Sequence, residues 1–369
     1  MRFKLLAMMV IVVSVIAGIA ATPHRKDAAP VAWDAQGSAR YLDQREVWWQ
    51  GWARSGRDHG TICISCHTQV PYALGRPALR GPLQESGLSA PEQKMLGDVR
   101  RRVTMWNEVA PFYSGDEPTR ALQARGTEAV LNTLILTSYD ARREHLTEIA
   151  RNAFDSAWAL QLTTGKDAGG WVWLNFHNAP WEGEESAYQG ASYMALAAGL
   201  APEGYAKEPA NKVRLDLLRG YLQRNYDVQP IANKLVVLWA AAKLPGVLTA
   251  EQKRALAKDV FALQHEDGGW SLASFGSWKR HDSTDEETKS DGYATGLALL
   301  AMESAGVAGN DTRTARGLAW LSKNQDAADG SWHAYSLNKQ RDQASDIGKF
   351  MSDAATAYAT LALEAGAHP

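Results

Sequence analysis

The sequence predicts an all-α protein folded as an α/α toroid, about six outer helices alternating with six inner ones. Three observations predict it. Helices rich in Ala, Leu and Gly, with few charges, recur at intervals of about 45 to 65 residues. More amphipathic helices lie between them, and Gln and Gly-Trp residues recur in the connecting loops. A helix apolar on every side is buried and one with a polar face looks outward, so the alternation gives two concentric layers. Almost no β-structure is expected.

Composition allows this. The chain has 369 residues, 45% hydrophobic and 22% charged, enough for a large core in one domain or two. The formal net charge is −2, with Lys and Arg scattered among Asp and Glu, which gives no nucleic-acid surface. Residues 1–21 read as a signal peptide: Arg2 and Lys4, then the apolar run Leu5 to Ala21, with Gly18-Ile19-Ala20 offering small residues for cleavage. A secreted or periplasmic protein is therefore expected. If the signal stays uncleaved, the run is about long enough to tether the protein to a membrane. Residues 22–33 form a polar linker, and residues 34–369 a single toroid domain.

The outer helices are expected over Asp34 to Ser55, Pro91 to Glu108, His145 to Gln161, Asn211 to Tyr226, Ala250 to Gln264 and Thr312 to Gln325. In the first, Trp48 and Trp52 share a face at i, i+4. Four inner helices open on related segments: Pro71-Tyr72-Ala73-Leu74-Gly75, Tyr193-Met194-Ala195-Leu196, Gly292-Tyr293-Ala294-Thr295-Gly296 and Tyr358-Ala359-Thr360-Leu361. Pro71 suits a first helical position, where its missing N–H costs nothing. Two less similar helices, Glu128 to Tyr139 and Ile231 to Lys243, complete the set.

The loops carry a more specific signature. Arg316 to Leu321, then Gln325, then Gly330-Ser331-Trp332, resembles the QW motif of the squalene-hopene cyclase and prenyltransferase repeat family. Gln264 with Gly268-Gly269-Trp270 is a second copy, and Gln161 with Gly169-Gly170-Trp171 a looser third. The resemblance implies a terpenoid-cyclase-like toroid in which the Gln caps helix ends and the Trp packs over them. A helix end leaves backbone groups unpaired, so these Gly-Trp pairs are expected to be structural. The family's Asp-x-Asp-Asp acid motif is absent, and its Asp, Cys and His zinc ligands cannot be assembled here. The scaffold is implied without the chemistry best known on it.

Both cysteines of the chain lie in one stretch, Cys63-Ile64-Ser65-Cys66-His67. Cys-x-x-Cys-His is the attachment signature of a c-type haem. The expected cofactor is one covalent haem c, with Cys63 and Cys66 as thioethers and His67 as proximal iron ligand. A Cys-x-x-Cys disulfide is the alternative; a zinc site would need further ligands. Aligning Tyr72 with Tyr293 places the motif in a loop leading into an inner helix, at the barrel mouth beside the Gly-Trp loops. A distal ligand would come from that end: His177, His281 or His333 by position, Met105 by analogy with small cytochromes, or none if the iron stays open. Arg76 and Arg80 either pair with a propionate or form surface salt bridges. The acidic loop Asp282 to Glu287 is either a proton donor of mutually raised carboxyls or a solvated loop. Ser290-Asp291 and Ser352-Asp353 read as helix N-caps.

The functional expectation is a periplasmic haem-c redox protein, for electron transfer or haem-based oxidation, with a redox partner protein. The alternative is a terpenoid or isoprenoid lipid-processing or lipid-binding toroid without haem, with a small apolar or acidic ligand in its barrel. A complement-like binding module ranks last, since its Cys-Gly-Glu-Gln motif is missing. No catalytic residue is assigned from the sequence.

Overall fold

The computed structural model describes residues 33–115, 119–306 and 311–367; the signal expected over 1–21 lies outside them. Among the described residues the architecture is helical, with only two isolated bridges, Gly56 to Ile62 and Asn178 to Glu182. The outer helices are α1 (Ala35–Gly51), α3 (Ala90–Thr104), α5 (Glu148–Ala159), α7 (Lys212–Arg224), α9 (Ala250–Ala262) and α11 (Thr312–Lys323). The inner ones are α2 (Gln69–Gly75), α4 (Arg120–Ala141), α6 (Ser186–Leu200), α8 (Ile231–Lys243), α10 (Gly292–Ser304) and α12 (Phe350–Ala367). A 3-10 turn (Arg76–Leu79) and a one-turn helix (Arg80–Leu83) prolong α2. Each inner helix packs on the next, and α12 returns to α2, so the inner ring closes. This is the α/α toroid. No described helix is long and apolar enough to cross a membrane.

Local chemistry sets where the outer helices start. Ser89 and Glu92 form a reciprocal capping box on α3, and Thr249 and Gln252 do the same on α9. Asp34, Thr147 and Asp311 cap α1, α5 and α11 through their side chains. The Gln and Trp residues of the loops then tie neighbours together. The amides of Gln161 and Gln264 donate to Gly169 O and Gly268 O within their own loops (3.2 and 2.7 Å). They also donate to Arg214 O and Arg313 O in the first turn of the next outer helix (3.0 and 2.8 Å). Trp171, Trp270 and Trp332 each donate an indole N–H to a carbonyl at the end of the preceding outer helix: Ala157, Val260 and Leu321, at 2.7 to 2.8 Å. Gln325 exchanges bonds with the Asp34 backbone across 291 residues, fastening the last outer helix to the first.

The axis of the ring is filled. Tyr193 and Tyr358 meet hydroxyl to hydroxyl at 3.2 Å, Tyr293 lies edge-on to Tyr358 at 5.1 Å, and Trp239 approaches from α8. All three tyrosines are buried. Backbones pass close where side chains are small: a Cβ on Gly296 would sit 2.6 Å from Ala359 N, so only glycine lets α10 approach α12.

Two expectations are corrected here. Tyr193 and Tyr358 do not open their helices but lie about two turns inside α6 and α12. Tyr72 does not join the axial cluster; its hydroxyl donates outward to Asp43 (2.7 Å) and meets Ser89 (3.0 Å). The Tyr-Ala resemblance marks inner helices correctly but is not one structural register, because Ala-rich helices tolerate several depths of the same pattern.

Candidate functional site

The loops that lead into α2, α6 and α12 meet at one end of the ring and enclose a cavity of about 130 Å³. His67 reaches it from the first repeat, Asn178, Trp181 and Glu182 from the third, and Asn338 and Arg341 from the sixth. Long-range bonds hold the walls. The turn from Phe176 to Glu182 is closed by Asn178 N to Glu182 O (2.9 Å) and Glu182 N to Asn178 O (2.8 Å), around a cis Ala179–Pro180 bond. The Asn338 amide grips that turn at both backbone groups of Ala179 (2.8 and 2.7 Å), while His281 N donates to Asn338 O (2.8 Å).

His67 is oriented by a buried relay. Arg45 Nε (2.7 Å) and Tyr41 Oη (2.9 Å) donate to one oxygen of Asp353, and Thr68 Oγ1 donates to the other (2.7 Å). Since the Thr68 proton is committed to Asp353, its oxygen accepts from His67 Nδ1–H at 2.9 Å. That assigns the tautomer and leaves Nε2 as an acceptor. Phe350 stacks on the imidazole at 3.7 Å between centroids, and Trp49 meets it edge-on at 5.0 Å. Burial, reinforced by the charges of Arg45 and Arg341, holds the imidazole pKa down to about 3.

Glu182 lines the same cavity. Burial raises its carboxyl to about 7, only partly offset by Arg120. The indole N–H of Trp181 beside it has no protein acceptor among the described residues. The cavity is thus lined by a residue whose carboxyl is raised to about 7, an imidazole held down to about 3 and an indole whose N–H lacks an acceptor among the described residues.

The residues singled out from sequence fall elsewhere, His67 excepted. Cys63 and Cys66 are buried free thiols, and neither lines the cavity. Cys63 Sγ lies 3.9 Å from Tyr113 Oη, and burial pushes its thiol up to about 11 and that of Cys66 well above the ordinary value. His177 is exposed and pairs with Glu184 at 3.0 Å; His333 pairs with Asp326 at 2.8 Å. His281 is exposed, and Met105 sits at the C-terminal end of α3. None of the four lines the His67 cavity. Arg76 is committed to Asp43 and Glu85, and Arg80 to Glu92. Asp282 is exposed and bonds to Thr284 and the Gln340 backbone, as a solvated loop would. Asp291 does cap α10, but Asp353 lies inside the first turn of α12 and serves the relay instead.

No family model matches the chain, and no curated protein does. Among solved structures it is similar to a glycosidase variant in complex with glucose: TM-score 0.49, 14% identity, covering 91% of this chain and 99% of that one. A wild-type glycosidase aligns with a TM-score of 0.46 and 13% identity, over 91% of this chain and 99% of that one.

The haem redox expectation, a c-type cytochrome iron centre passing electrons, is corrected by the placement of the motif in the fold. No described group of three or more His, Cys, Asp or Glu is placed to hold a metal ion. The geometry agrees. Both cysteines are buried in packed core away from the cavity that His67 lines, and Phe350 covers a face of the imidazole. The lipid alternative is corrected as well, since the aromatic plug fills the axis where an isoprenoid chain would lie.

Glu182 and Asn338 escaped the sequence reading. The one local signal for Glu182 was the Asn178-Ala179-Pro180-Trp181 turn before it; for Asn338 there was none, because its partner is 159 residues away.

Proposed function

We propose that the protein is an acid–base hydrolase acting on a glycoside-type C–O bond, with Glu182 as proton donor and His67 as base. The observation that carries this reading is the shared cavity: a carboxyl titrating near 7 and an imidazole whose free acceptor is Nε2. Glycoside hydrolysis by inversion needs one acid with a raised pKa and one base that activates water on the opposite face. An imidazole held near 3 has about the basicity of an ordinary aspartate, so it can stand where a second carboxylate often does. In the step, the Glu182 proton passes to the leaving oxygen as the C–O bond breaks. Water attacks the carbon, its proton goes to His67 Nε2, and exchange with solvent restores both groups. The Thr68–Asp353–Arg45 relay keeps Nε2 available throughout.

On this reading the likeness of the Gln and Gly-Trp loops to squalene-hopene cyclases is a likeness of scaffold. The basic and apolar N-terminus accords with an exported enzyme.

The test is turnover of a panel of chromogenic glycosides and uronides by the wild type, Glu182→Gln and His67→Ala. Activity should be highest below about pH 7 and decline above it as Glu182 loses its proton. Glu182→Gln should abolish it. Turnover indifferent to both substitutions would overturn the assignment.

A further inference from the structure

Beside the His67 cavity lies a cleft of about 620 Å³ that shares two of its walls, Arg341 and Ile347. Trp48 and Trp52, from the end of α1, stack along it at 5.2 Å with planes 23° apart. Arg45 packs on Trp48, 4.4 Å from its centroid, whereas Trp52, held by Trp48, Trp49 and Phe350, is half-buried and lines the cleft with no cation of the described residues over it. The opposite wall is the 339–347 segment.

The charges along this wall are unequally occupied. Asp346 is paired with Arg45 at 3.0 Å, and Asp342 accepts from Ala344 N at 2.9 Å. Lys339 and Arg341 form no ion pair with a described residue, and Arg341 is half-buried where cleft and cavity join. A partly desolvated guanidinium favours a carboxylate, which it can grip with two parallel N–H bonds. An indole face suits the flat apolar face of a pyranose ring, while the rim supplies hydrogen bonds to hydroxyls.

We infer that cleft and cavity form one groove for an anionic, uronate-containing oligosaccharide, with Arg341 holding a carboxylate and Trp52 the platform for the adjoining sugar. The inference rests on the glycoside reading and adds the substrate class. It predicts recognition of several units, since the cavity alone is too small for more than part of one sugar.

The experiment is calorimetric and tryptophan-fluorescence titration with a galacturonate hexamer, a mannuronate hexamer and neutral cellohexaose. The proteins are the wild type, Trp52→Ala, Trp52→Phe and Arg341→Gln, each checked for native circular dichroism. At least one uronate hexamer should bind the wild type and quench fluorescence. Arg341→Gln should weaken it about tenfold or more, as loss of a charge-assisted contact does; Trp52→Ala should weaken it about tenfold by removing the aromatic platform, and Trp52→Phe by less. Added salt should weaken binding to the wild type more than to Arg341→Gln. The proposal is overturned if neither uronate hexamer binds, if cellohexaose binds as tightly, or if both substitutions leave affinity unchanged. Glu182→Gln separates the two ideas, because it should lose turnover and keep hexamer binding. Lost turnover with binding indifferent to Trp52 and Arg341 removes the groove and keeps the acid. The converse removes the acid and keeps the groove.

Discussion

His67 and Phe350 lie face to face, with ring centroids 3.7 Å apart and planes 23° from parallel. One residue closes the loop before α2 and the other begins α12, so the first and last repeats meet at the imidazole. The contact also removes the ring from water, which is the main reason it stays neutral.

Phe350→Ala should therefore raise the His67 pKa from about 3 toward 6.5, the value for an exposed imidazole. Titration of the histidine ring protons by NMR would follow the shift. A pKa that stays near 3 would mean that the charges of Arg45 and Arg341, not burial, set it.

Glu182 makes stability depend on pH. Its folded pKa is raised from 4.5 to about 7, so the native state keeps a proton that the unfolded chain has released. The contribution is fully present below about 4.5 and is lost as pH rises through about 7. Glu182→Gln should flatten the fall in stability between these values, as measured by urea unfolding across that window.

Thr68→Val keeps the side-chain shape and removes both bonds of the relay. Asp353 then loses a donor in a buried site, for a cost of about 1–3 kcal/mol. The larger effect should be on His67, freed to adopt the other tautomer. Thr68→Ser, which restores the hydroxyl, should recover the wild-type pH profile of activity, whereas a merely structural role would not link the two.

Much of this architecture was legible in the sequence. The six pairs of helices and the Gln and Gly-Trp loops follow from patterns that short-range chemistry imposes. What the sequence did not expose depends on contacts between distant loops. Cys63, Cys66 and His67 are adjacent and suggest joint action, yet the backbone turns both sulfurs into the core and only the imidazole toward the cavity. The raised carboxyl of Glu182 comes from its burial beside the cavity, which no local pattern in the sequence records. The tyrosines misled for another reason: identical dipeptides at different helical depths point in different directions, as Tyr72 and Tyr358 do.

Gly296→Ala tests the closeness of α10 and α12. The added methyl would meet backbone and not a movable side chain, so the helices must separate, at about 1–3 kcal/mol. Chemical denaturation should show the loss with an unchanged m-value.

The Gln325 clasp on Asp34 gives this chain no terminal repeat. Open arrays of helical pairs begin to melt at whichever end lacks a neighbour; a closed circuit offers no such starting point. Gln325 is one of several such closures, since α12 also packs on α2 and Arg45 of α1 pairs with Asp353 of α12, so losing the Gln325 link alone should leave the ring closed.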